Sequence, residues 1–128
     1  MCAQKDDVTK LRHYTSAERK AMQVHTGVML YFPDALCAVA RLSLAGNKKH
    51  CVGEPLHFKR SVSADHSDCE ARHMLTPDAV DPETGETERV AAAWRALADL
   101  QLAEEKRLVA AGIKPLSGVV PEASDATE

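Results

Sequence analysis

The sequence predicts an all-α fold with three to four helices and one long polar loop. Hydrophobic residues make up 45% of the 128 positions, but aromatic residues make up only 4%. Much of the apolar content is alanine and leucine, which favour helices, whereas strands favour β-branched and aromatic side chains. The length suits one hydrophobic core. We therefore expect one helical domain over residues 1–112, with its core at about 16–111, and a disordered acidic tail over 113–128.

Capping residues predict the first two helices. Ser16 can cap a short helix that ends at Gly27. Pro33 suits the first position of the next helix, and Asp34 suits its positively polarised end. Gly46 is predicted to follow this helix as its C-terminal stop.

A polar loop over 46–62 is predicted between the second and third helices. Connections between helices in small domains usually span about two to eight residues, so this loop is long. Ser61 or Ser63 can cap the third helix. That helix is predicted to run to about Leu75, because Pro77 prevents its continuation.

The longest helix is predicted from about Thr87 to Ala111, after a turn at 81–85. Its predicted core-facing stripe comprises Val90, Ala93, Trp94, Leu97, Leu100, Gln101, Glu104 and Leu108. The stripe is longer than the partner helices can cover, and exposed apolar stripes commonly mark subunit contacts. We therefore expect a homodimer or homotetramer.

Charge and hydropathy exclude several classes of protein. The net charge of −3 argues against a general binder of nucleic-acid polymers, which normally has a basic excess. No apolar run approaches the roughly 20 residues of a membrane span. The first residues also lack the apolar core of a signal peptide, so we expect a cytoplasmic location.

Three aspartates near helix starts are candidate metal ligands. Asp65 and Asp68 lie one turn apart and share a helix face with Arg72, while Asp34 begins another helix. Carboxylates from facing helices can hold Mg²⁺ or Mn²⁺, which prefer oxygen ligands. Acids at these positions also stabilise helix starts by charge alone, so both roles remain open.

Histidines and cations of the same region are the other candidates. His73 or His57 can act as a general base near neutral pH, and Lys48 and Arg60 can bind phosphate. A zinc site is a separate alternative, because Cys69 and His73 share a helix face and further ligands are close in sequence. Those further ligands are His50, Cys51 and His57. The four cysteines form no Cys-x-x-Cys pair and are expected to be reduced thiols.

Six segments carry a family resemblance: GVMLYFPDAL (27–36), AGNKKH (45–50), GEPLHF (53–58), DHSD (65–68), RH (72–73) and AWRAL (93–97). Together they resemble the phage-associated dATP/dGTP diphosphohydrolase family (MazZ-like, N-terminal domain). The likeness covers roughly residues 25–102. This family is similar to the all-α MazG-like nucleoside triphosphate pyrophosphohydrolases, which hold divalent metals with carboxylates borne on helices.

The resemblance implies that a purine deoxynucleoside triphosphate, dATP or dGTP, is cleaved to a monophosphate and pyrophosphate. It implies an oligomeric, Mg²⁺- or Mn²⁺-dependent enzyme, in the host cytoplasm if the chain is phage-encoded. The residues that we assign to such a site are His73 and His57 for catalysis, Asn47, Lys48, His50, Arg60 and Arg72 for substrate binding, and Asp34, Asp65 and Asp68 for the metal.

The chain departs from the family pattern at several positions. Relatives often have a histidine where this chain has Glu88, a lysine near Val62 and an asparagine near Cys51. MazG-like enzymes also carry two or three glutamates on the first metal-binding helix, whereas Asp34 is followed by residues without carboxylates at 35–38. These departures favour an alternative hypothesis, a non-catalytic helical binding or assembly module of a phage accessory protein.

Overall fold

The computed structural model describes residues 14–60 and 63–121, and its regular elements are helical. They are α1 (Ser16–Ala21), a π-helix (His25–Met29), α2 (Pro33–His50), α3 (His66–Leu75) and α4 (Glu88–Ala110). The described residues contain one isolated antiparallel bridge, between Val80 and Thr87, and no strand. The predicted all-α fold is confirmed.

Two compact units divide the chain: Met1–Val24 with Leu100–Glu128, and His25–Asp99. The second unit contains the π-helix, α2, α3 and the first part of α4. Every candidate site residue predicted from the sequence lies in this unit. The first unit contains α1, the last part of α4 and the segment that follows it.

α1 begins with a capping box. Thr15 Oγ1 accepts a hydrogen bond from the Glu18 N–H at 3.1 Å, and the Thr15 N–H donates to Glu18 Oε1 at 2.7 Å. This reciprocal pair satisfies two N–H groups at the helix start. The predicted cap, Ser16, is instead the first helical residue, and Gly27 lies inside the π-helix instead of ending a helix.

α2 begins at Pro33, as predicted, but it continues through Gly46 to His50. A glycine inside a helix costs about 1 kcal/mol relative to alanine, which does not by itself end a helix. Lys48 and Lys49 follow it and interact favourably with the negative end of the helix. The prediction that the helix stops at Gly46 is therefore wrong, and the polar loop starts only after His50.

α3 begins at His66, with Asp65 in the N-cap position. The prediction of Ser63 as the cap is wrong, because that residue precedes the N-cap; the alternative, Ser61, lies outside the described residues. Arg72 Nη2 lies 3.5 Å from Asp65 Oδ2. The predicted alignment of these two side chains on one face is confirmed.

A tight turn joins α3 to α4, as the sequence predicts. The Asp81 N–H donates to the Glu86 carbonyl at 2.9 Å, and the Gly85 N–H donates to the Asp81 carbonyl at 2.7 Å. Gly85 has a φ of 77°, a conformation that favours glycine.

Ion pairs join this turn to α2. Arg41 donates two hydrogen bonds to the Glu86 carboxylate, at 2.8 and 3.1 Å. The guanidinium hydrogen bonds lower the pKa of Glu86. Lys49 Nζ lies 2.6 Å from Glu83 Oε2, so two cations of α2 contact two carboxylates of one short turn.

α4 buries only part of the stripe that the sequence predicts. Its most buried residues are Ala92, Ala98 and Glu105, whereas Leu97 and Leu100 are 49% and 57% exposed. The prediction is therefore wrong at those two leucines, whereas Trp94 of the same stripe is half-buried. Two of these three buried positions hold alanine, and small residues allow neighbouring backbone segments to approach closely.

Residues after α4 contact its last part within the first unit. Pro115 is almost completely buried. Ser117 Oγ donates to Glu105 Oε2 at 2.7 Å, and the same oxygen accepts a hydrogen bond from Gln101 Nε2 at 2.9 Å. The sequence predicts disorder from residue 113, whereas the structure describes 113–121 as a segment that contributes to this buried carboxylate site.

A run of large apolar side chains lies exposed beside the start of α2. This exposed apolar run comprises Val28, Met29, Leu30, Tyr31 and Phe32, which are 42% to 70% exposed. Among the described helices, no single one has the length and apolar character needed to cross a membrane. One bent pair, Ser16–Met29 with Pro33–His50, meets that test by length and composition.

Candidate functional site

Three potential metal ligands come together where α2 ends. Cys51, Glu54 and His57 each offer one ligand atom, and these atoms all lie within 4.8 Å of one another. Cys51 is buried, while Glu54 and His57 are exposed. Within residues 14–60 and 63–121, this Cys51–Glu54–His57 cluster is the only group of three or more such ligands at this spacing.

The turn that carries the cluster is attached to α2 by Asn47. The Cys51 N–H donates to the Asn47 carbonyl at 2.8 Å, and Asn47 Nδ2 donates to the Glu54 carbonyl at 2.9 Å. The Glu54 N–H closes the turn on the Cys51 carbonyl at 3.0 Å, with Gly53 at a φ of 79°. Asn47, a predicted substrate contact, is 9% exposed and uses its amide to hold this turn.

His57 has a defined tautomer. Its Nδ1 lies 2.8 Å from the Pro55 carbonyl, and a carbonyl can only accept a hydrogen bond, so Nδ1 carries the proton. The other ring nitrogen, Nε2, lies 3.5 Å from Glu54 Oε1. A neutral ring in this tautomer leaves the Nε2 lone pair available to a metal or a proton.

Asp65, Cys69 and Arg72 contact one another along one side of α3. Arg72 Nη2 lies 3.0 Å from Cys69 Sγ and 3.5 Å from Asp65 Oδ2. The Cys69 thiol donates to Asp65 Oδ1 at 3.5 Å. This thiol contributes most to lowering the pKa of Asp65, followed by a backbone hydrogen bond, with a smaller contribution from Arg72. Asp65 and Arg72, predicted as a metal ligand and a substrate contact, thus bind each other.

His66 is buried between aromatic rings and a cation of α4. Arg95 Nη1 donates to His66 Nδ1 at 3.0 Å, so the proton of the neutral ring lies on Nε2. Nε2 is buried and has no hydrogen-bond partner in the described part of the chain. The Phe58 and Trp94 rings lie with their centroids 6.4 and 6.1 Å from that of His66. Burial lowers the pKa of His66, and the charge of Arg95 lowers it further.

α3 and α4 bring His73 and Glu88 together. His73 Nδ1 lies 2.5 Å from Glu88 Oε2, and the two side chains are 28% and 24% exposed. An ionised carboxylate only accepts hydrogen bonds, so Nδ1 carries the proton and Nε2 can accept one. An imidazole oriented by a carboxylate is the arrangement that many enzymes use for a general base.

The other predicted substrate contacts occupy the end of α2 and the loop. Lys48 and His50 are exposed in the last turn of α2. The guanidinium carbon of Arg60 lies 4.7 Å from the centroid of the Phe58 ring, a cation–π contact. These cations lie in the same unit as His73, within His25–Asp99.

The three aspartates predicted to bind a metal are not gathered into one group of ligand atoms in the described part of the chain. Asp34 is exposed in the first turn of α2, and Asp65 and Asp68 lie at the start of α3. Carboxylates at helix starts are stabilising by charge alone. A magnesium or manganese site at these residues stays a prediction.

The sequence alone does not identify the partners of His66 and His73. Glu88 stands out only as a departure from the family pattern, and Arg95 only as part of a family segment, because each pair joins residues far apart in the chain. The cluster, in contrast, does have a local signal. Cys51, Glu54 and His57 recur at intervals of three residues, with Gly53 between the first two.

Comparison of the chain with protein-family models, with curated proteins and with solved structures finds no match in any of the three. The resemblance to dATP/dGTP diphosphohydrolases therefore depends on the sequence segments themselves.

Proposed function

We propose that this protein is a nucleoside triphosphate pyrophosphohydrolase that converts dATP or dGTP to the monophosphate and pyrophosphate. The observation that carries the proposal is the His73–Glu88 pair, with its 2.5 Å contact and partial burial. Hydrolysis needs a group that removes a proton from water. His73 is also one of the two histidines that are predicted from the sequence as a general base.

In this reaction His73 Nε2 accepts a proton from a water molecule. The water oxygen forms a bond to the α-phosphorus, and the bond from that phosphorus to the bridging oxygen of the β-phosphate breaks. Pyrophosphate leaves with the electron pair of the broken bond. Glu88 keeps His73 in the required tautomer and stabilises the imidazolium that forms, because its carboxylate is negatively charged.

Substrate binding is proposed for the exposed cations near α2 and α3. Lys48 and His50 lie exposed at the end of α2, and Arg72 is exposed one residue before His73. Arginine can bind two phosphate oxygens at once, which suits a triphosphate. Arg72 can exchange its 3.5 Å contact with the exposed Asp65 for a phosphate, since exposed ion pairs are weak.

The family resemblance also implies Mg²⁺ or Mn²⁺, but the described part of the single chain does not bring the three predicted ligands together. Asp34, Asp65 and Asp68 are not gathered, and the thiol of Cys69 and the guanidinium of Arg72 contact Asp65. The steps proposed above therefore use only the side chains of this protein and do not pass through a metal ion.

Exposed apolar side chains support the proposal of a homo-oligomer. Leu97 and Leu100 on α4 are 49% and 57% exposed, and the exposed apolar run lies in the same unit as Leu97. Exposed apolar patches larger than a few hundred square ångströms are uncommon in monomers. Light scattering of the full chain at micromolar concentration should give a mass of two or four times 13.9 kDa. A mass near that of one chain contradicts this proposal.

The ungathered aspartates favour a second candidate function, a non-catalytic nucleotide-binding or assembly module. The two candidates differ in turnover. The full chain is incubated with each of the four deoxynucleoside triphosphates in Mg²⁺ or Mn²⁺, and the products are separated by ion exchange. The enzyme should release dAMP or dGMP and pyrophosphate in equal amounts. Binding of dATP or dGTP in equilibrium dialysis, without any product, supports the module and contradicts the enzyme.

A further inference from the structure

The geometry points to a zinc site formed by Cys51, Glu54 and His57, separate from the His73–Glu88 pair and independent of nucleotide hydrolysis. A thiolate, a carboxylate and an imidazole are the three side-chain types that bind Zn²⁺ in proteins. The ligand atoms of these three residues lie within 4.8 Å of one another, and no other group among the described residues does the same.

The backbone of the cluster is built to present these side chains together. Cys51 ends α2, and the left-handed conformation of Gly53 allows the chain to reverse between Cys51 and Glu54. The buried Asn47 side chain donates to the Glu54 carbonyl, while the backbone carbonyl of Asn47 accepts from the Cys51 N–H. Asn47 therefore fixes two of the three ligand-bearing residues to the end of α2.

The tautomer of His57 matches the requirement of a metal ligand. Histidines bound to a metal almost always donate the N–H of the other ring nitrogen to a carboxylate, a backbone carbonyl or water. His57 Nδ1 makes such a contact, with the Pro55 carbonyl at 2.8 Å. The Nε2 atom of His57 is therefore free to bind the metal. It lies 3.5 Å from Oε1 of Glu54, the second proposed ligand.

The observed spacing is close to that of a tetrahedral zinc shell. Zn–N and Zn–O bonds of about 2.0–2.1 Å and a Zn–S bond of about 2.3 Å place the ligand atoms about 3.3–3.6 Å apart. The distance of 3.5 Å between His57 Nε2 and Glu54 Oε1 lies in this range. The other pairs lie within 4.8 Å, so movements on the order of 1 Å by the exposed side chains close the shell.

The chemistry of the three ligands and the solvent exposure of two of them indicate which class of metal ion the site binds. A thiolate disfavours Mg²⁺ and Ca²⁺, which take oxygen ligands, and favours Zn²⁺ and similar soft or borderline ions. Three protein ligands leave the fourth tetrahedral position for water. The side chains of Glu54 and His57 are 49% and 41% exposed, so this position is open to solvent.

A competing explanation of the contact is an ion pair between protonated His57 and Glu54, without any metal. The two explanations differ in the role of Cys51, which has no part in the ion pair but supplies the thiolate of the metal site. The test therefore uses a probe that reports sulfur ligation. Co²⁺ replaces Zn²⁺ in such sites and gains a charge-transfer absorption band when a thiolate binds it.

The untagged, full-length protein is stripped of metal and titrated with Co²⁺, and Zn²⁺ is then added in competition. We expect one Co²⁺ per chain with a sulfur charge-transfer band, which Zn²⁺ abolishes stoichiometrically. Cys51→Ser should remove the band. His57→Gln and Glu54→Gln change exposed side chains and should weaken Zn²⁺ binding by at least about 100-fold, beyond the usual effect of outer-shell partners.

Matched controls are the exposed thiol Cys37, as Cys37→Ser, and the exposed histidine His25, as His25→Gln. Both should keep the band and the affinity. The proposal is overturned if no saturable band appears or if Cys37→Ser removes the band. It is also overturned if Zn²⁺ binds the three ligand variants as tightly as it binds the wild-type protein. Circular dichroism of each variant distinguishes loss of a ligand from loss of the fold.

Discussion

His73 and His57 both have one ring nitrogen engaged, but their partners differ. His73 contacts the carboxylate of Glu88 across two helices, in a partly buried position. His57 contacts the backbone carbonyl of Pro55, two residues away in an exposed turn. A carboxylate stabilises the imidazolium that follows proton uptake, whereas a neutral carbonyl fixes the orientation of the ring without stabilising a charge on it. The first environment suits proton transfer, and the second suits metal ligation.

The largest effect is expected from His73→Gln. Loss of the general base should lower kcat for dATP or dGTP hydrolysis by about 10²- to 10⁴-fold. Product formation by the purified variant is measured beside the matched control His25→Gln, an exposed histidine of the π-helix that should behave like the wild-type protein. If His57→Gln has the large effect and His73→Gln has little, the assigned roles are reversed.

Glu88→Gln should have the next largest effect, because the amide keeps the size of the side chain but loses its charge. It can still accept a hydrogen bond from His73, but it does not stabilise the imidazolium. We expect kcat to fall by about 10²-fold, as when a catalytic group is misplaced by about 1 Å. Steady-state kinetics check the split between kcat and KM. A change confined to KM would show that Glu88 binds substrate and does not orient His73.

A third histidine, His66, differs from both because its hydrogen-bond partner is a cation, Arg95. Burial and Arg95 lower its folded-state pKa, so the unfolded chain binds more protons once the pH drops below the unfolded value of about 6.5. The free energy of unfolding should therefore decrease from about pH 6.5 until the pH passes the lowered folded-state pKa. Chemical denaturation at a series of pH values should show this slope, and His66→Gln should flatten it. An equal slope in that variant would contradict the prediction.

The smallest effect is expected from Asp68→Asn. Asp68 lies exposed in the first turn of α3, where a carboxylate stabilises the helix by about 0.3–1 kcal/mol. Thermal melting should show a loss in this range. The hydrolysis assay on the same variant tests the separate prediction of a metal ligand. Unchanged turnover removes Asp68 from the site, and abolished turnover with an intact fold restores it.

The sequence predicts the helices better than their ends and faces. Pro33 and Leu75 are boundaries that local chemistry sets, and both are confirmed. The prediction that α2 ends at Gly46 is wrong because the cations that follow Gly46 are as favourable in the last turn of a helix as they are in a loop. The predicted orientation of α4 is wrong at Leu97. Leu97 and Ala98 are adjacent in the sequence, and packing with distant elements determines which of them is buried.

The same limit applies to the candidate site: the sequence identifies individual residues, but it does not identify their hydrogen-bond partners. His73 and His57 are named from the sequence, whereas the tautomer of each ring depends on a neighbour that only the fold supplies. Glu88 lies 15 residues from its partner. Asn47 illustrates a different error: a polar residue followed by two lysines and a histidine is expected at the surface, but the Asn47 side chain is buried.

The segment after α4 has a practical consequence for anyone who shortens this protein. Glu105 is 1% exposed, and Ser117 supplies one of the hydrogen bonds to its carboxylate. The sequence suggests Gly112 as the point at which to truncate the protein. That truncation would remove the hydrogen bond from Ser117 to the buried Glu105 carboxylate, and it would also remove the buried Pro115 side chain. Trimming for crystallisation or fusion should therefore begin beyond Pro121.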